Sequence, residues 1–303
     1  AALAFTRTGS AGSVALAGEQ GEAGVAAADG PRLADVQVWY ETADADEVMS
    51  SVAVAGDRVL FGTSKTVGGL FQKGAVFCVD RGTGKLRWAF TDDDGLKPVF
   101  ATPALHGNRV FAGEGLHTDA DRRLFALDAD TGKPVWSAAT TSHTEGTPAV
   151  ADGKVYFSAG DDGLYCVTAA DGKRVWHQPG HPAGLHVDTP PAVARGKAFF
   201  GSGYRTLALL AADAATGKEV WRTPVNLRSF GPPLVLGQTV LFGLGTGNLA
   251  EDLSQEADGT PKEEKPAGAV VAVDADTGAV RWRADLPKSV HTALAADAQT
   301  VYA

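Results

Sequence analysis

The stretch DADTGKPVW at residues 128–136 returns as DRGTGKLRW (80–88), DAATGKEVW (213–221) and DADTGAVRW (274–282), with a looser copy, TAADGKRVW, at 168–176. All six tryptophans fall on one ladder, Trp39, Trp88, Trp136, Trp176, Trp221 and Trp282, with steps of 49, 48, 40, 45 and 61 residues. Five have glycine four residues earlier, and four of those five have aspartate four residues before the glycine. So regular a pattern is the mark of a repeated structural unit stacked on its own copies.

The shortest unit, TPAVADGKVYFSAGDDGLYCVTAADGKRVW at 147–176, shows what each copy contains. Periodicity predicts strands at TPAVA, VYFSA, LYCVT and RVW, separated by turns at DGK, GDDG and AADGK. Every turn is built on Asp and Gly, which accept the positive φ of tight hairpins. Nothing in the unit repeats every 3.6 residues, so helical repeats are excluded.

Four short antiparallel strands per unit of about 40–50 residues specify an all-β fold, a β-propeller of four-stranded antiparallel blades. A lone blade cannot bury both faces, whereas stacked blades can. In this reading the motif's Asp caps the turn between third and fourth strands, Thr-Gly makes the turn, and Trp fills the gap between blades. The buried indole N–H then needs a partner, expected to be a carbonyl of the next blade. The pattern resembles the quinoprotein-type (pyrroloquinoline quinone, PQQ) repeat, over residues 35–303.

Blades are expected at about 50–90, 99–140, 145–178, 187–225 and 229–286 of one domain covering residues 1–303. Residues 1–40 and 287–303 together complete a sixth; further strands near the N-terminus would make seven or eight. The net charge of −9 excludes nucleic acid as a partner, since phosphate binding needs a basic surface. No run approaches the roughly 18 apolar residues of a membrane span, and the first residues lack a charged segment followed by an apolar core. Cys78 and Cys166 form no CxxC or metal-ligand spacing. They share one repeat position, occupied elsewhere by Ala126 and Ala272, which predicts small buried side chains.

Chemistry is expected where the repeats disagree, on the face bearing the connections between blades and the loops between second and third strands. Aligning the residues leading into each innermost strand gives one column of Glu47, Pro98, His143, His186, Arg228 and Lys288. Two residues later comes Met49, Phe100, Glu145, Asp188, Phe230 and Val290, and His291 follows. The repeated H-x-[ED] of His143/Glu145 and His186/Asp188 suits a metal or an anionic ligand. It equally suits hydrogen-bonded loop residues at a solvated channel mouth. The candidate ligand-binding set is His143, Glu145, His186, Asp188, Arg228, His291 and Asn248. Glu114, His117 and Asp119, in EGLHTD, form a separate candidate metal trio. The long segment 243–268 is acidic and reads as a solvated flap, without the spacing of a helical calcium loop.

What the resemblance implies is a non-catalytic binding, scaffolding or sensor propeller of the bacterial cell envelope, with no cofactor expected and a monomeric state. Its partner would be a protein or small molecule at the channel mouth. The alternatives it leaves are a PQQ- and calcium-dependent oxidoreductase and a metal-binding propeller without catalysis. GTGN at 245–248 is similar to the segment whose asparagine ligates calcium in quinoprotein alcohol dehydrogenases, which maps to Asn248. Those enzymes also carry adjacent cysteines and an aromatic floor for the quinone, usually tryptophan, and both are missing from the pattern here. No catalytic Ser elbow, HExxH or phosphate-binding loop occurs either.

Overall fold

The computed structural model describes residues 2–6, 36–41, 47–67, 70–92, 95–116, 119–182, 184–204, 206–246, 267–297 and 299–303. Among these, every regular element is a strand, and no helix is long and apolar enough to cross a membrane. A first hairpin pairs β1 (Ala2–Thr6) with β2 (Val36–Glu41). The first blade follows: β3 (Glu47–Val48), β4 (Ala53–Ala55), β5 (Arg58–Val67), β6 (Leu70–Asp80) and β7 (Leu86–Phe90). The second holds β8 (Ala104–His106), β9 (Arg109–Gly113), β10 (Arg123–Asp128) and β11 (Pro134–Ala139). The third holds β12 (Ala149–Ala151), β13 (Lys154–Ser158), β14 (Leu164–Thr168) and β15 (Arg174–Gln178).

The fourth blade comprises β16 (Ala192–Ala194), β17 (Lys197–Ser202), β18 (Ala208–Asp213) and β19 (Glu219–Pro224). The fifth comprises β20 (Arg228–Ser229), β21 (Leu234–Leu236), β22 (Thr239–Gly245), β23 (Gly268–Asp274) and β24 (Val280–Leu286). A last hairpin pairs β25 (Ala295–Ala296) with β26 (Val301–Tyr302). Within each blade the strands pair antiparallel in sequence order, as blades of a β-propeller do, except that β3 and β4 both pair with β5, and β20 and β21 both pair with β22. The two terminal hairpins are separate two-stranded sheets.

The core lies between blades rather than within them. One cluster joins Leu60, Cys78 and Trp88 of the first blade to Val110, Phe125 and Leu127 of the second. Equivalent clusters join second to third, third to fourth and fourth to fifth. This is why the second and third strands read as nearly unbroken apolar runs: neighbours cover both of their faces.

Each joint is built from the repeated motif. Asp80 Oδ1 accepts from the amides of Gly82 and Thr83 and from the Thr83 hydroxyl, and Asp128, Asp213 and Asp274 cap their turns in the same way. Indole Nε1 then crosses to the next blade: Trp88 donates to Ala129 O, Trp136 to Ala169 O, Trp176 to Ala214 O and Trp221 to Ala275 O, at 2.9–3.1 Å. The motif glycine must lack a side chain for two reasons. Gly132 has φ +70°, and a methyl group on it would lie 2.6 Å from the Trp88 ring. Within its own blade each indole faces a small residue directly across the ladder: Cys78, Ala126, Cys166, Ala211 and Ala272 pair with Trp88, Trp136, Trp176, Trp221 and Trp282. The expectation of small buried side chains at both cysteines holds; each is fully buried and free.

Two features depart from the sequence reading. Segment 63–74, expected among the loops between second and third strands, instead continues the β5–β6 ladder through Lys65–Lys73 to Val67–Leu70. The residues there alternate in a strand-like way, which carries the pairing past the blade. Nor are all tryptophans docked. Trp282 is 42% exposed, and β24 is exposed along nearly its whole length. No glycine among the described residues packs on its ring as glycines do on the other four described indoles.

Candidate functional site

Sequential antiparallel order puts the loops between second and third strands at the same end of the sheets as the connections between blades. Backbone bonds tie the two together. Val99 N donates to Thr63 O, Thr144 N to Glu114 O and Val290 N to Leu244 O, so each blade's second strand braces the chain entering the next blade. At the joint of third and fourth blades this becomes a two-way bridge, Gly160 N to Val187 O and Val187 N to Gly160 O, both 3.0 Å. The bridge lays the β13–β14 turn, with Asp161 and Asp162, directly against His186 and Asp188.

The result is a buried polar cluster. His143 Nε2 lies 2.9 Å from Asp188 Oδ1, and His186 Nε2 lies 2.9 Å from Asp188 Oδ2. His186 Nδ1 contacts Asp161 Oδ1 at 2.8 Å, and His143 Nδ1 contacts Ser142 Oγ at 3.2 Å. The side chains of His143, His186 and Asp188 are 1%, 6% and 11% exposed, whereas that of Asp161 is 54% exposed, so the cluster reaches water through Asp161. Neighbouring Asp162 accepts from Thr141 N and from the Tyr165 hydroxyl, which fixes the chain leading to His143. A side chain on Gly160 (φ +47°) would strike His143 Cε1 and Ser142 Oγ, so glycine there makes room for the imidazole.

The electrostatics follow from these contacts. Burial alone would raise the Asp188 carboxyl, but the hydrogen bonds and charge of His143 and His186 outweigh it and hold it far below the ordinary carboxylate range. Burial likewise opposes charge on His186, yet Asp188 and Asp161, one at each ring nitrogen, outweigh it and raise its pKa.

An aromatic line extends the cluster across the neighbouring blades. His186 meets the edge of Tyr204 at 4.9 Å, Tyr204 meets Phe230 at 6.2 Å, and Phe230 meets His291 at 5.2 Å. The Arg228 guanidinium lies 4.2 Å over the Tyr204 ring. Tyr204 is 39% exposed, so this line reaches solvent. Nε2 of His291 is buried without a hydrogen-bond partner among the described residues.

The structure therefore brings His143, His186 and Asp188 into direct contact and strings Arg228 and His291 beside them. Glu145 is half-buried on the same connection, two residues after His143. Glu114 and Asp119 have basic partners of their own. Buried Glu114 pairs with Arg123 at 2.8 Å and accepts from Lys97 N, while Asp119 pairs with Arg122 at 3.3 Å and accepts from Leu116 N. His117 and Asn248, with nearly all of the acidic segment 243–268, lie outside the described residues. Asp161 went unsingled in the sequence because GDDG reads locally as a turn, and no local pattern marks Ser142 or Tyr204. The available signal was that GDDG puts two adjacent acids on the histidine-bearing face.

A family model described as outer membrane protein assembly factor BamB matches residues 72–210, 182–260 and 264–303. Among solved structures, BamB from Moraxella catarrhalis superposes with a TM-score of 0.52 at 16% identity, covering 88% of this chain and 82% of that one. That likeness is one of fold. Among curated proteins, the quinoprotein alcohol dehydrogenase PedH of Pseudomonas putida (strain KT2440) is 32% identical over 37% of this chain and 22% of its own length. The polyvinylalcohol dehydrogenase of Sphingopyxis sp. (strain 113P3) is 28% identical over 77% of this chain and 33% of its own length. The chain thus spans at most a third of these dehydrogenases.

Proposed function

The chain belongs to the PQQ-repeat β-propeller family whose model is that of the outer membrane protein assembly factor BamB, and we propose that it is a non-catalytic binding or scaffolding propeller of the cell envelope. A protein or small-molecule ligand would engage the channel mouth around His143, His186, Asp188, Tyr204, Arg228 and His291. The observation that carries this reading is the contiguity of the buried His143–Asp188–His186–Asp161 cluster with exposed Tyr204 beneath Arg228. An exposed aromatic ring covered by a half-buried arginine on a rigid scaffold offers the residue types that typically anchor a partner.

The alternative within the family is a quinoprotein oxidoreductase, and the described residues fit its cofactor poorly. Cys78 and Cys166 stand in different blades, each buried against its own tryptophan, so they cannot make an adjacent pair. Four of the tryptophans are bonded to carbonyls of the next blade, and Trp282 sits on the exposed edge strand of the fifth blade. Reconstitution of the purified chain with PQQ and calcium separates the readings. The expected result is no stoichiometric quinone absorbance and no dye-linked alcohol oxidation. A holo-protein at one quinone per chain would overturn the non-catalytic reading.

A further inference from the structure

We propose that His143, His186 and Asp188 form a site for one divalent first-row transition-metal ion, zinc(II) by its ligand set, held through Nε2 of both imidazoles and one Asp188 oxygen. This deepens the reading of the channel mouth as a binding surface and rests on it.

Geometry supplies the first argument. The three ligand atoms all lie within 4.8 Å of one another. Tetrahedral zinc with bonds of about 2.0–2.1 Å separates neighbouring ligand atoms by about 3.4 Å. The two 2.9 Å contacts run to different Asp188 oxygens, so the one to the ligating oxygen needs to open by about half an ångström, while the other imidazole turns from the second oxygen to the ion.

The outer partners supply the second argument. A ligating histidine keeps its remaining N–H on a carboxylate, carbonyl, hydroxyl or water that fixes the ring. Both rings here are held in that way on the far side, His186 by Asp161 and His143 by Ser142. With the ion on Nε2, each neutral ring carries its single proton on Nδ1, directed at Asp161 Oδ1 or Ser142 Oγ. Gly160 completes the arrangement, since any side chain there would push the His143 ring from its place.

Charge supplies the third. In the metal-bound state, with both rings neutral, the buried Asp188 carboxylate and the half-exposed Asp161 carboxylate carry two negative charges, and one dication cancels them. Two imidazole nitrogens and one oxygen suit zinc, cobalt or nickel. Calcium demands six to eight oxygens and is excluded from this set.

The test uses the tag-free full chain, stripped with chelator, titrated with zinc chloride by calorimetry and with cobalt(II) by visible spectroscopy. The expected result is one zinc per chain, unaffected by millimolar calcium, and a cobalt d–d band from nitrogen–oxygen coordination. His186→Gln is expected to weaken binding at least 100-fold. Asp161→Asn leaves all three ligands in place at a solvent-exposed position and is expected to weaken binding about 10–100-fold. Circular dichroism of both variants separates loss of the site from loss of the fold. Absence of stoichiometric zinc overturns the proposal, as does zinc binding unchanged in both variants. Quinone uptake alongside intact zinc binding would defeat the non-catalytic reading and leave the metal site standing. Loss of zinc binding with no quinone uptake would remove the metal site alone.

Discussion

The α-carbon of Gly132 rests against the indole of Trp88 from the preceding blade, so closely that a methyl group there would sit 2.6 Å from the ring. The same contact joins Gly172 to Trp136, Gly217 to Trp176 and Gly278 to Trp221.

Gly132→Ala is therefore expected to lower stability by about 2–4 kcal/mol, combining overpacking with the cost of a left-handed alanine. Gly237 also has a positive φ, +60°, but open space where a methyl group would go. Gly237→Ala should cost only about 1–2 kcal/mol, the conformational part alone. Urea midpoints of the two variants measure the difference. Equal losses would show that the indole contact contributes nothing.

Trp221→Phe removes a buried hydrogen bond to Ala275 O and is expected to cost about 1–2 kcal/mol. Trp282→Phe, on the exposed edge of the fifth blade, should change stability by less than about 0.5 kcal/mol. Intrinsic fluorescence gives a second check. Replacing Trp282 should remove a distinct part of the acrylamide-quenchable emission and blue-shift the spectrum.

The thiols of Cys78 and Cys166 are each pushed up by burial to about 11. At pH 8 the native protein should leave both unreacted with Ellman's reagent, and urea should release two equivalents. The folded-state value lies above the ordinary thiol value of about 8.5, so the unfolded chain loses protons first as pH rises. Stability is thus full below about pH 8 and declines as pH climbs toward 11. The double variant Cys78→Ala/Cys166→Ala, which places in both blades the residue found at Ala126, should flatten that decline.

Asp188→Asn replaces an acceptor of two imidazole donors by a group that can accept at only one oxygen. In chelator-treated protein at pH 7 the expected loss is about 3 kcal/mol, the scale for removing one partner of a buried charged pair. Denaturant unfolding checks it, and a loss under about 0.5 kcal/mol would show that the cluster contributes no stability of its own.

The blades were legible in the sequence because their determinants are local and repeated. Asp80 and Thr83 lie three residues apart and make their turn without help from elsewhere. The carbonyl partner of the indole could likewise be anticipated, since a buried N–H must be satisfied. The candidate site was legible only in part. Alignment placed His143 and His186 in one column, but the meeting of both rings on Asp188 depends on the Gly160–Val187 bridge, a contact between blades that no local pattern records. Asp161 was hidden for the same reason: as a turn residue it needs no explanation, and its second role appears only when the next blade arrives. Trp282 shows the opposite error, because its motif matches those of Trp136 and Trp221 while its surroundings do not.

The turns between third and fourth strands lie at one end of each sheet, and the His143–His186 cluster lies at the other. Sequence change on the two ends therefore carries different risks. One end holds fixed joints, where a single methyl group is too much. The other can lengthen a loop, exchange a turn or gather acids and imidazoles without loosening the joints beneath it. A stack of blades made this way can acquire a new binding surface while the means by which it stays assembled remain untouched.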